Sequence, residues 1–117
     1  MAGYSLITHK GKEILYVDYQ DMTKEEILQV MDDATDYALE LNRPLLRLSN
    51  MTGVFGVKDV VDKAKESGKK TSHLTIKRAV VGITGAKKVL FNGFNRVSGN
   101  NSKAFDSVED AKDWLVI

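Results

Sequence analysis

The spacing of hydrophobic residues changes repeatedly along the chain, and each change predicts a new element. Short apolar or alternating runs, typical of strands, occur at residues 4–8, 13–19, 45–48, 76–83 and 104–105. Steps of three and four residues, typical of helices, occur at 23–42, 57–68, 85–97 and 107–115. The pattern therefore predicts the element order ββαβαβαβα.

Local signals support several of these boundaries. Lys10-Gly11 suits a tight hairpin between the first two strands. Thr23 with Glu26 forms a capping box before the first helix, and Ser107 with Asp110 repeats that spacing before the last.

Strands that alternate with helices require crossover connections, which make neighbouring strands parallel. The initial hairpin adds one antiparallel pair. With 117 residues, the chain is predicted to be a single α/β domain. Its sheet should be mixed but mainly parallel, with about five strands and about four helices.

Composition narrows the class of protein. The chain has no cysteine, which excludes disulfides and thiolate metal sites, and no apolar run long enough to span a membrane. The interruption of the N-terminal apolar residues by Thr8, His9 and Lys10 disfavours a signal peptide. We expect a cytoplasmic protein.

Charge is divided unevenly along the chain. Residues 1–60 hold six basic and ten acidic side chains, whereas residues 61–117 hold eleven basic and six acidic ones. No acidic residue occurs from Ser67 to Phe105. Such a segment needs a negatively charged counterpart. The counterpart is an anionic ligand, an anionic membrane surface, a protein partner, a second copy of the chain, or the chain's own acidic first helix. Nucleic acid is disfavoured because binding usually needs more positive charge and exposed aromatic residues.

The turn that follows the predicted strand 76–83 is one candidate binding site. Gly82, Thr84 and Gly85 precede Lys87 and Lys88 at the start of a helix. Backbone N–H groups at such a helix end attract phosphate or carboxylate. The alternative is an ordinary strand–helix turn with a solvated lysine pair.

The loop at residues 50–56 is a second candidate, because ligands in α/β sheets bind at the carboxyl ends of strands. Its apolar side chains, Met51, Val54 and Phe55, would form one edge of a pocket. Its polar side chains, Asn50 and Thr52, would contact the ligand. The alternative is a loop whose apolar residues cap the core.

Catalytic signals are weak. His9 and His73 fall in a predicted hairpin and a linker, without an acidic partner in sequence, and no nucleophile motif occurs. We expect neither an enzyme, nor a metal site, nor a cofactor.

The chain resembles the SpoIIAA-like branch of the STAS/SEC14-type domains. The resemblance lies in Lys77-Arg78-Ala79-Val80-Val81-Gly82 and in the C-terminal segment from Ala104-Phe105 to Trp114-Leu115. It implies a STAS-type fold and a non-enzymatic module that binds partner proteins, nucleotides or lipids. A phosphorylated serine marks the second helix of the anti-sigma-factor antagonists, but Val57-Lys58 stand there in this chain.

The leading interpretation is a STAS/SEC14-like binding module for a small anionic or lipid-like ligand. Its expected site runs from the loop at residues 50–55 to the turn at residues 82–88, with Arg78, Lys87 or Lys88 meeting a negative head group. The alternative is a protein–protein or regulatory module, including a homodimer, that uses complementary acidic and basic faces.

Overall fold

The computed structural model describes residues 3–54, 58–83, 85, 87–97 and 101–117, with the backbone alone at residues 87, 90, 94 and 97. These residues form five strands, four α-helices and a 3-10 turn. The strands are β1 (Tyr4–His9), β2 (Lys12–Asp18), β3 (Leu45–Asn50), β4 (Thr75–Val81) and β5 (Ser102–Phe105). The helices are α1 (Lys24–Leu41), α2 (Lys58–Thr71), α3 (Lys87–Val97) and α4 (Val108–Leu115), and the 3-10 turn is Ser72–Leu74.

The strands lie side by side in chain order, from β1 to β5. β1 pairs antiparallel with β2, and the remaining neighbours are parallel. The α/β class, the mixed and mainly parallel sheet of five strands, the four helices and the element order are therefore confirmed.

Three helices cover one face of the sheet and one covers the other. Successive strand residues point to opposite faces, so Leu15 and Val17 of β2 pack on the side of α1, whereas Ile14 packs on the side of α4. The larger cluster joins α1, α2 and α3 to the sheet through residues such as Met31, Val60, Val80 and Phe91. The other face is closed by Ala111 and Leu115 of α4.

Side-chain caps fix the ends of two helices. The Thr23 hydroxyl accepts from the Glu26 N–H at 3.2 Å, and the Glu26 carboxylate accepts from the Thr23 N–H at 2.9 Å. Asn42 ends α1 in the left-handed conformation. The Ser107 hydroxyl accepts from the Asp110 N–H at 3.1 Å at the start of α4. Both capping positions were predicted from spacing.

Helix α2 is longer than its sequence suggests. It passes Gly68, the predicted end, and continues to Thr71, where the 3-10 turn leads directly into β4. Ser67, Gly68 and Thr71 are all buried, and the Ser67 hydroxyl is hydrogen-bonded to Thr35 of α1. Tertiary packing thus outweighs the low helix propensity of glycine.

No described helix has the length and apolar character needed to cross a membrane.

Candidate functional site

A small cavity lies between the sheet and the three helices on its larger side. Its space for the centres of water molecules is about 30 Å³, which corresponds to about two or three waters. Half of the lining is apolar, from Met31, Met51, Ala64, Val80 and Phe91, and half is polar, from Tyr19, Arg47, Ser49, Ser67 and Arg78.

The two arginines are the unusual part of this lining. Arg47 of β3 and Arg78 of β4 are partners in the parallel register, so they leave the same face of the sheet from adjacent strands. Each is only 5% exposed. Fully buried arginines are rare unless they are paired with an anion.

No carboxylate accompanies these two cations at the cavity. All sixteen Asp and Glu side chains fall within the described residues, and each one is exposed or partly exposed. None of them lines the cavity. The described ion pairs engage other cations, and Arg47 belongs to none of them. Arg47 and Arg78 therefore bring two positive charges to a place where the described residues supply no negative one.

Hydroxyl groups at the junction of α2 and β4 hold the guanidinium groups in position. Arg47 donates to the Thr71 hydroxyl at 3.1 Å, and Arg78 donates to the Thr75 hydroxyl at 3.4 Å. Thr71 donates in turn to the Ser67 carbonyl at 2.9 Å, and Thr75 to the Thr71 carbonyl at 2.8 Å. The end of α2 thus provides a fixed support for both arginines.

Burial changes the pKa values of the polar lining groups. Burial, and then the charge of Arg47, lower the pKa of Arg78 to about 9. Burial also lowers the pKa of Arg47 from its ordinary value. Burial raises the pKa of Tyr19 to about 12, which keeps its phenol neutral and able to donate a hydrogen bond. Near neutral pH, the polar side of the cavity is therefore cationic and rich in donors.

Two of the residues predicted to bind ligand meet at this cavity. Met51 and Arg78 both line it. Asn50 is buried, but its carboxamide oxygen accepts from the Thr52 N–H at 3.2 Å and from the Thr52 hydroxyl at 2.7 Å. Asn50 and Thr52 thus stabilise their own loop.

The remaining predicted residues are not part of the described cavity lining or lie outside the described residues. Val54 packs at the edge of the larger core cluster, and Gly82 lies against the backbone of Thr52. Gly85 and Lys88 are exposed. Phe55, Thr84 and the side chain of Lys87 lie outside the described residues.

Sequence reasoning missed Arg47, Tyr19, Ser49, Ser67 and Phe91. Arg47 was hidden within the apolar run of residues 45–48, although an arginine inside a central parallel strand is enclosed on both faces and is a signal in itself. Phe91 of α3 is 5% exposed and lines the cavity.

Pairing of the basic segment with the acidic first helix, one of the alternatives that the sequence left open, is not seen among the described side chains. Asp32 of α1 pairs with Lys63 of α2 at 3.1 Å instead. Lys77 donates to the Trp114 carbonyl at 2.9 Å. The other described lysines of the segment and Arg96 form no ion pair; they are Lys69, Lys70, Lys88 and Lys103. A partner or a second copy at this surface stays a prediction.

No group of three or more acidic or histidine side chains suited to a metal ion occurs among the described residues.

Comparison of the chain with protein-family models, with curated proteins and with solved structures produced no match.

Proposed function

We propose that this protein is a non-catalytic binding module that holds a small anion between Arg47, Arg78 and the neighbouring hydroxyl groups. The supporting observation is the burial of two registered arginines beside a cavity whose described lining contains no carboxylate. The anionic part of the ligand expected from the sequence is thereby assigned to this cavity rather than to the turn at residues 82–88.

The energetic argument concerns the cost of burying charge. Removing a guanidinium from water costs several kcal/mol unless an anion and hydrogen bonds offset the loss. Two like charges on adjacent strands also repel each other across a medium less polar than water. An anion between them would offset both costs, and Arg presents a planar set of donors that suits carboxylate and phosphate oxygens.

The chemistry of the lining favours binding over catalysis. Tyr19 and Arg78 keep their protons near neutral pH, because their pKa values lie at about 12 and at about 9. Arg47 also keeps its proton, because a guanidinium group is not deprotonated in proteins. No imidazole or carboxylate stands among the described lining residues to serve as a general base.

We also propose, as a separate point, that the fold is of STAS type and the location cytoplasmic. The element order and the packing of Phe105 on Trp114, with ring centroids 5.4 Å apart, support the family. The lipid-like ligand has less support, because about 30 Å³ is far below the roughly 300–1,000 Å³ of a usual small-molecule pocket.

The test is an NMR titration of the ¹⁵N-labelled protein with acetate, sulfate and inorganic phosphate at constant ionic strength. At least one of these anions should give saturable shifts at the amides around Arg47 and Arg78. Arg47→Met should weaken that binding at least about tenfold, since it removes a hydrogen-bonded charge worth about 1.5–3 kcal/mol. Arg43→Met is the matched control, because Arg43 is half-exposed and pairs with Glu13 at the surface.

Dispersed amide spectra establish that each variant is folded, and Arg78→Met provides an independent second variant. The proposed function fails if no anion produces saturable shifts in β3 and β4. It also fails if wild type, Arg47→Met and Arg43→Met bind equally well, because a surface effect would then explain the shifts.

A further inference from the structure

The charge and size of the cavity restrict which anion it can accept. We infer that the ligand group is a compact dianionic oxyanion of the phosphate or sulfate type, held jointly by Arg47 and Arg78. This inference rests on the proposed function and specifies the ligand class of the same site.

The number of buried charges supports a dianion. Arg47 and Arg78 bring two positive charges to one side of the cavity, and no Asp or Glu among the described residues lines it. A monocarboxylate would balance only one of them and leave the other buried beside it. A dianion balances both charges, and the attraction between opposite charges is stronger in a site of low dielectric constant than in water.

The size of the cavity supports a compact ion. Space equal to about two or three waters admits a single oxyanion but not an extended dicarboxylate or an acyl chain. The apolar part of the described lining, which includes Met31, Met51 and Phe91, provides no partner for a second charged group.

The available donors match a tetrahedral ion better than a planar one. The guanidinium groups approach from β3 and β4, and Thr71 and Thr75 fix one nitrogen of each. The neutral phenol of Tyr19 and the Ser49 hydroxyl line the same cavity. A tetrahedral oxyanion offers four oxygens to these four donor side chains, whereas a carboxylate offers two.

Few protein groups near this site titrate at moderate pH. β3 and β4 contribute Arg47 and Arg78, and the segment after β2 contributes Tyr19. Among the described lining residues, helices α1, α2 and α3 contribute Met31, Ala64, Ser67 and Phe91, none of which is ionisable. Arg78 and Tyr19 keep their protons between pH 5.0 and pH 7.5, because their pKa values lie at about 9 and about 12. Arg47 does so because a guanidinium group is not deprotonated in proteins. A change in binding over that range therefore reports the charge of the probe.

The experiment compares sulfate, inorganic phosphate and acetate by the same NMR titration at pH 7.5 and pH 5.0, with malonate as a fourth probe at pH 7.5. Sulfate keeps two charges at both pH values, whereas phosphate loses its second charge with a pKa of about 6 to 7. We expect phosphate binding to weaken relative to sulfate at least about tenfold at pH 5.0, following its dianion fraction. Acetate should bind at least about tenfold more weakly than sulfate at pH 7.5.

The outcomes separate this inference from the proposed function. Acetate that binds as tightly as sulfate, or a phosphate-to-sulfate ratio unchanged by pH, would overturn the dianion and leave the anion site standing. Malonate that binds as tightly as sulfate would overturn the compact tetrahedral ion alone. Failure of all four probes to bind would overturn the anion site itself. Arg47→Met should weaken sulfate and dianionic phosphate together, and a loss confined to one of them would also contradict the inference.

Discussion

At the scale of single residues, Gly82 allows a close backbone contact next to Met51, which lines the cavity. Gly82 has a φ of +95°, and a Cβ added there would lie 2.5 Å from both the Cα and the N of Thr52. Beside this contact, the Met51 N–H donates to the Val81 carbonyl at 2.8 Å. Gly82 therefore lets the loop after β3 lie directly on the end of β4, where Met51 turns into the cavity.

Replacement of Gly82 by alanine should be costly. The left-handed conformation strains any residue with a Cβ, and here the Cβ would also collide with backbone that cannot move cheaply. We expect Gly82→Ala to lower the free energy of unfolding by about 2 kcal/mol or more, measured by urea denaturation.

The matched control is Gly53→Ala in the neighbouring loop. Gly53 has a similar φ of +79°, but a Cβ there would meet nothing within 4 Å. It should cost about 1 kcal/mol. Equal losses in the two variants would show that the backbone contact itself adds nothing to the strain.

The sequence predicted the individual residues of the site less well than it predicted the helices and strands. Arg78 was predicted from its position in a basic segment, but Arg47 stands among leucines and its meaning depends on register. Only the pairing of Arg47 with Arg78 across β3 and β4 makes the two charges neighbours. Register between strands separated by a whole helix depends on tertiary packing, which local patterns do not contain.

At the scale of elements, the end of α2 serves as a support for the arginines. The sequence predicted the existence and type of the helices and strands because periodicity and caps act locally. It ended α2 at Gly68 because the burial that extends the helix to Thr71 comes from packing on α1. The extra turn matters because it brings the Thr71 hydroxyl to Arg47.

Removal of that hydroxyl should therefore weaken the site more than the fold. Thr71→Val keeps the shape of the side chain but leaves the Arg47 guanidinium without this acceptor. We expect sulfate binding to weaken about three- to tenfold, in line with about 1 kcal/mol for one positioning hydrogen bond, measured by NMR titration.

Ser72→Ala is the control for Thr71→Val. Ser72 is the next residue and its hydroxyl also donates to a helix carbonyl, that of Lys69 at 3.2 Å, but it does not line the cavity. Sulfate binding should be unchanged in this variant. A positioning role for Thr71 would be contradicted if both variants bound sulfate as wild type does.

At the scale of the whole molecule, the carboxylates and the two cavity arginines differ in burial. Every carboxylate lies at the surface or partly so, while two arginines lie inside with the core. Replacement of buried ionic groups by apolar side chains of similar volume is often neutral or stabilising. Under the proposed function, the arginine pair lowers the stability of the fold and is retained because it binds a ligand.

The cost of burying the two arginines predicts that the double variant Arg47→Met/Arg78→Met is at least as stable as wild type without oxyanions, and that sulfate shifts the balance towards wild type. In buffer without oxyanions, the double variant should equal or exceed wild type by up to about 4 kcal/mol, since methionine is of similar volume and carries no charge. Added sulfate should stabilise wild type further by RT ln(1 + [L]/Kd), because only its folded state offers the site. The double variant should gain only the smaller, nonspecific stabilisation that sulfate gives most proteins.

Urea denaturation at rising sulfate concentration, at constant ionic strength, measures both effects together. The difference in free energy of unfolding between the two proteins should move steadily in favour of wild type as sulfate increases. If the double variant is less stable than wild type even without oxyanions, and sulfate leaves the difference constant, the two arginines are part of the structural framework. If the difference in free energy of unfolding instead changes with sulfate concentration, the bound anion supplies the negative charge that the described cavity lining lacks.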